Sequence, residues 1–137
     1  MKHRIVRLTW LTIVLGLIAP PLLAERNLIP SLEGIPDVCS ERPNEPDWME
    51  NMALRDAYQR VLVQDIYRAQ NMGRVVDTGS CDCATRFPTW DEAEVTFREN
   101  HADADRSDML QASDIYNRRA NELRSQAKAI CEAAGNW

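Results

Sequence analysis

Hydrophobic positions along this chain follow two regimes. Up to residue 24 they run almost unbroken behind a basic start; beyond residue 46 they recur every three or four residues. The second regime is the signature of amphipathic helix. Its cleanest instance is Met109, Ala112, Tyr116, Ala120, Leu123, Ala127, Ile130 and Ala134, with steps of 3, 4, 4, 3, 4, 3 and 4. This spacing predicts a last helix over 106–134, capped by Asp105 or Ser107 and ended by Gly135. An earlier stripe of Leu54, Tyr58, Val61, Leu62, Ile66 and Ala69 is widened by Met49, Met52, Ala53, Ala57, Val63 and Tyr67. It predicts a first helix over 47–72. Asp47-Trp48-Met49-Glu50 reads as its capping box after Pro46, and Gly73 as its C′ residue.

Between these lies a second start signal. Thr89-Trp90-Asp91-Glu92 follows Pro88 and predicts a short helix over 89–101, with Trp90, Ala93, Phe97 and His101 on one face. Residues 100–108 are polar without Gly or Pro and predict a kink or brief break, with an unbroken helix as the alternative. Residues 73–88 predict a connecting loop. Residues 25–46 hold Pro30, Gly34, Pro36, Pro43 and Pro46, which removes donors and disfavours helix, so an extended arm is expected. Leu28, Ile29, Leu32, Ile35 and Val38 give that arm an apolar side to lay on a core. Sparse Val, Ile and Thr tilt the balance further from sheet. The expected fold is all-α: a small helical hairpin or three-helix bundle with a Pro-rich N-terminal arm. Its parts are residues 1–24, 25–46 and 47–137.

The first regime reads as an export signal. Lys2, His3, Arg4 and Arg7 precede an uncharged apolar core, Leu8 to Ile18, that is short for a bilayer span. Cleavage is expected after Ala24, with an uncleaved N-terminal anchor as the alternative. Cys39 lies too far beyond Ala24 for a lipoprotein, and Ile-Pro-Asp-Val before it is no lipobox. The expected location is periplasmic or secreted, with no stable membrane span once the signal is removed. The remaining 113 residues suffice for one small domain. The signal takes three basic residues with it, leaving 13 basic and 21 acidic residues and a net charge of −8. Such a surface disfavours nucleic acid and anionic lipid as partners.

Export changes the meaning of the cysteines. Cys39, Cys81, Cys83 and Cys131 form an even set in an oxidising compartment and read as two disulfides. A Cys81–Cys83 bond closes a very small ring of unusual geometry. The other two schemes join Cys39 to one member of the pair and Cys131 to the other, each contributing about 4 kcal/mol in the loop-entropy model. A four-thiolate zinc site would favour Cys-x2-Cys spacing. A redox centre at Cys81 and Cys83 would need a low-pKa thiolate, for which Arg86 and the following helix start are near in sequence.

Other constellations are weaker. Asp103, Asp105 and Ser107, with Asp114 at the twelfth position, resemble a calcium loop, yet Asp108 stands where glycine is needed. An acidic first turn favoured by the helix dipole explains them as well. His101, the one histidine beyond the signal, could serve a triad only with Ser107, Ser113 or Ser125, none in an elbow context. Glu92, Glu94 and Glu99 could pair for glycosidic chemistry, but nothing marks a sugar cleft. No cofactor is expected. Trp48, Met52, Tyr58 and Tyr67 are candidates for partner contact or for core anchors.

The segments VCSERP (38–43), DWMENMALRDAYQRVLVQDIYRAQNMG (47–73) and GSCDCATRFPTWDEAE (79–94) resemble small periplasmic accessory proteins of conjugative type IV secretion loci. The resemblance implies a non-enzymatic binding role with protein partners in the cell envelope, and no catalytic residues carry over. Two rival functions remain open: a periplasmic thiol-redox protein using Cys81 and Cys83, and an acidic inhibitor or immunity-type protein.

Overall fold

The computed structural model describes residues 39–40 and 42–137. The signal at 1–24 and the arm up to residue 38 lie outside the described residues. Among the described residues the chain is all-α, without strands: α1 (Asp47–Glu50), a 3-10 turn (Leu54–Asp56), α2 (Ala57–Thr78), α3 (Cys83–Arg86), α4 (Asp91–Asn100) and α5 (Arg106–Ala133).

The single helix expected over 47–72 is broken. The Pro46 carbonyl accepts the first turn's hydrogen bond from the Met49 amide at 2.8 Å, and Asp47 makes no side-chain cap. Asn51 then donates its side-chain amide to the Asp47 carbonyl at 2.8 Å. The Asn51 backbone amide bonds to the same carbonyl at 3.0 Å, closing the short helix there, and α-helix resumes only at Ala57. The break resets the helical phase. Leu54 is left 91 % exposed and Val61 46 % exposed, while Leu62, Val63 and Ile66 are fully buried.

Gly73 does not end this helix either. A β-carbon placed there would meet Leu123 Cδ1 of α5 at 3.9 Å, an ordinary contact, so a neighbour packs over the glycine and helix continues past it. The stop comes at Gly79, whose φ of 65° is the left-handed conformation that glycine adopts without strain. Its amide bonds to the Val75 carbonyl at 3.0 Å.

The Thr89–Glu92 box also fails to form. Thr89 donates its hydroxyl to Asp91 at 2.8 Å, and α4 begins at Asp91 with no side-chain cap. Three acids in its first turn, Asp91, Glu92 and Glu94, favour the positive end of the helix dipole instead. The break before α5 occurs as expected. Asp105 caps α5 by accepting from the Asp108 amide at 2.9 Å. After the last turn the Asn136 amide bonds back to the Cys131 carbonyl at 2.8 Å, with Gly135 at φ 72°.

Cross-links between helices give the topology. Asp65 meets Ser113, Arg68 meets Asn117 and Asn121, and Gly73 faces Leu123, so α2 and α5 run parallel. Arg74 pairs with Glu92, and Gln70 donates to Thr96 at 2.9 Å, so α4 runs antiparallel to α2. The chain goes up along α2, partway down along α4 and up again along α5. One core joins Met49, Leu62, Val63 and Ile66 to Ala93, Phe97, Met109 and Ala112. A second, at the opposite end of α2, joins Val75 to Ala127, Cys81 and Cys131. Among the described residues, no helix is long and apolar enough to cross a membrane.

Candidate functional site

The second core is built by the cysteines. Cys39 bonds Cys83, and Cys81 bonds Cys131, with Cα separations of 5.4 and 5.1 Å. All four cysteines are paired with distant partners, in one of the two long-range schemes left open by the sequence. Cys39, Cys81 and Cys131 are buried. The segment after Cys39 is strapped along α2, where Arg60 and Gln64 donate to Glu45 at 2.7 and 2.6 Å.

Asp82 sets how the two neighbouring cysteines diverge. The expected loop contains a short helix, α3, and Asp82 is its cap. Its carboxylate accepts from the Ser80 hydroxyl at 2.6 Å, the Thr85 amide at 2.8 Å and the Thr85 hydroxyl at 2.8 Å. Donors aimed at the ionised form hold its pKa at about 2, below the ordinary 3.8, with Ser80 the largest contributor. Asn136 closes the other side by donating to the Cys81 carbonyl at 2.6 Å.

Above the Cys81–Cys131 bond lies a cavity of about 130 Å³. Met72 and Val75 of α2, Phe87 after α3, Ala127 of α5 and Trp137 supply its apolar wall. Tyr67 reaches the same wall. Its ring stacks on Trp90 at 3.9 Å, and its hydroxyl donates to the Pro88 carbonyl at 2.8 Å. Burial pushes the Tyr67 pKa up, against the opposing pull of the Asn71 hydrogen bond and of Arg74 and Arg42.

The rim is basic. The Arg86 guanidinium lies over Phe87 at 4.9 Å and over Trp137 at 5.0 Å, and Arg42 covers Phe87 at 4.2 Å. Arg68 donates to the side-chain oxygens of Asn117 at 2.5 Å and Asn121 at 3.1 Å. A neighbouring cavity of about 180 Å³ shares Arg68, Met72 and Trp137 with the first and adds Asn121 and Arg124.

The residues singled out from the sequence are dispersed. Trp48 donates its indole N–H to Glu94 at 2.7 Å and stacks near Phe97 at 5.9 Å, tying α1 to α4. Tyr58 packs on the first core beneath Arg106. Met52 is half-buried in the segment between α1 and the 3-10 turn. Of these four, only Tyr67 reaches the cavity, where Arg86 and Cys131 join it. Asp105 is used as a cap, and Asp103, Ser107 and Asp114 are exposed. Among the described residues, no three His, Cys, Asp or Glu side chains converge as a metal site would require. Glu92 and Glu94 pair with Arg74 and Arg98, while Glu99 is exposed. His101 sits edge-on to Tyr116 at 5.8 Å, and burial lowers its pKa. Ser113 is buried and donates to Asp65.

The sequence pattern does not announce the cavity. Tyr67, Arg68, Asn71, Met72 and Val75 lie at helical spacing on α2, but the opposite wall comes from Phe87, Ala127, Cys131 and Trp137 on other segments; the available signal was aromatic residues beside arginine, as in Arg86-Phe87. No family model, curated protein or solved structure matches the chain.

Proposed function

We propose that this protein is an exported, non-enzymatic binding subunit of a cell-envelope assembly, of the kind that serves conjugative type IV secretion. The observation that carries this reading is the commitment of all four cysteines to long-range cross-links. Such bonds suit an oxidising compartment and leave no thiolate for redox chemistry. They stiffen the end of the molecule that holds an apolar cavity with a basic rim, and a preformed concave apolar site favours binding. Leu110 and Ile115, both about half exposed on α5, add apolar surface that a partner could cover.

The test is export and contact in a Gram-negative cell. The full chain, expressed with its own N-terminus, should fractionate with the periplasm and carry no alkylatable thiol. A photo-crosslinking residue at Ile115 should give a discrete adduct with a component of the secretion apparatus. A reduced protein retained in the cytoplasm would overturn the proposal.

A further inference from the structure

We propose that the cavity beneath Trp137 is a peptide-binding site that takes one aromatic side chain flanked by acidic residues. This rests on the binding role proposed above and names the chemistry of its ligand. Size sets the first limit. A volume of about 130 Å³ is close to that of the roughly 150 Å³ apolar cavities known to hold a benzene ring. Met72, Val75, Phe87 and Ala127 offer that ring apolar contact, and Tyr67 and Trp137 offer aromatic faces and edges.

Charge sets the second limit. The protein carries 21 acidic and 16 basic residues, yet among the described residues no Asp or Glu lines either this cavity or its neighbour. Arg68, Arg86 and Arg124 do. Arg68 donates to the Asn117 carbonyl and to the side-chain amide oxygens of Asn117 and Asn121, which orient its guanidinium without cancelling its charge. An acidic ligand therefore meets positive potential here, against an otherwise acidic molecule.

The paired cavities favour a peptide over a free aryl acid. A single-ring acid fills the first cavity alone. A peptide can seat its ring there and carry a carboxylate across Met72 to Arg124 in the second. The buried ring supplies affinity, and the arginines select the sign of the flanks.

The test uses the full oxidised protein, purified after export, in an NMR titration. The probe is the N-acetylated, C-amidated peptide Asp-Glu-Phe-Glu-Asp. Its comparators are the same peptide with Ala for Phe, the peptide Lys-Lys-Phe-Lys-Lys, and phenylacetate. Saturable shifts are expected at the Trp137 indole and the Met72 methyl, with the acidic aromatic peptide binding at least about tenfold more tightly than any comparator. Arg68→Glu and Arg124→Glu should each weaken it several-fold while both disulfides and the melting temperature persist. Arg124→Glu decides the matter if Arg68→Glu perturbs the contact between α2 and α5. Equal binding of the alanine peptide, equal binding of phenylacetate, or no response at the cavity would overturn the site. Crosslinks from Ile115 that persist in that case would reject this ligand and leave the binding role standing.

Discussion

Ser113 on α5 donates its buried hydroxyl to the carboxylate of Asp65 on α2, fixing the register of two parallel helices. Parallel helices cannot be joined by a short turn. Here α4 returns the chain between them, so their alignment depends on side-chain contacts across the pair. Ser113→Ala removes the donor and leaves a half-buried carboxylate without it. The expected loss is about 1–3 kcal/mol, measured by urea unfolding. Unchanged stability would mean that apolar packing and the Arg68 contacts with Asn117 and Asn121 set the register without it.

Leu123→Asp should destabilise the protein far more than Arg124→Asp. Leu123 is only 7 % exposed in the α2–α5 interface, whereas Arg124 is exposed. An unpaired buried carboxylate costs several kcal/mol, and an exposed charge change usually stays within about 0.5 kcal/mol. Thermal melts of the two variants read the difference. Similar melting temperatures would place the α5 seam at the surface.

Joint replacement of Cys81 and Cys83 by serine should abolish function through loss of folded protein. The two bonds span sequence separations of 44 and 50 residues, worth about 4 kcal/mol each in the loop-entropy model. That sum is comparable to the whole stability of a small domain. The variant should be protease-sensitive and scarce in the envelope. Normal accumulation and melting with lost activity would instead point to chemistry at the Cys-Asp-Cys.

Acid should weaken the α3 cap in a defined window. Asp82 has a folded pKa of about 2 against an ordinary 3.8. A depressed folded value means that the native state favours the ionised form. Its stabilisation is therefore fully present above the ordinary value and is lost as pH falls from there through about 2. Asp82→Asn keeps a capping side chain but removes the titration. The stability difference between parent and variant should shrink over that window. A difference independent of pH would show that the Ser80 and Thr85 hydrogen bonds do not favour the carboxylate.

What the sequence revealed tracks how local the deciding physics is. The α5 seam was legible from Met109 to Ile130 because one face packs on one neighbour throughout. Asp105 was legible as its cap. The long-range pairing of Cys39 and Cys131 with the Cys-Asp-Cys followed from the small ring that a Cys81–Cys83 bond would close, though the choice between its two schemes did not. The helix expected over 47–72 differs at both ends. The helix stops after Glu50 and resumes at Ala57, a break that periodicity does not register, and Gly73 is carried through under Leu123, a contact made by a residue fifty positions away. The cavity was illegible for the same reason, since Tyr67, Phe87 and Trp137 are far apart in sequence and only the tertiary fold brings them to one wall.

Peptide mapping without reduction tests the central claim most directly. If the molecule is a cross-linked binding scaffold, the oxidised protein yields two linked peptide pairs, Cys39 with Cys83 and Cys81 with Cys131, and no free thiol. A Cys81–Cys83 bond, or four thiols open to alkylation in protein recovered from the envelope, would contradict it and return the Cys-Asp-Cys to consideration as a reactive centre.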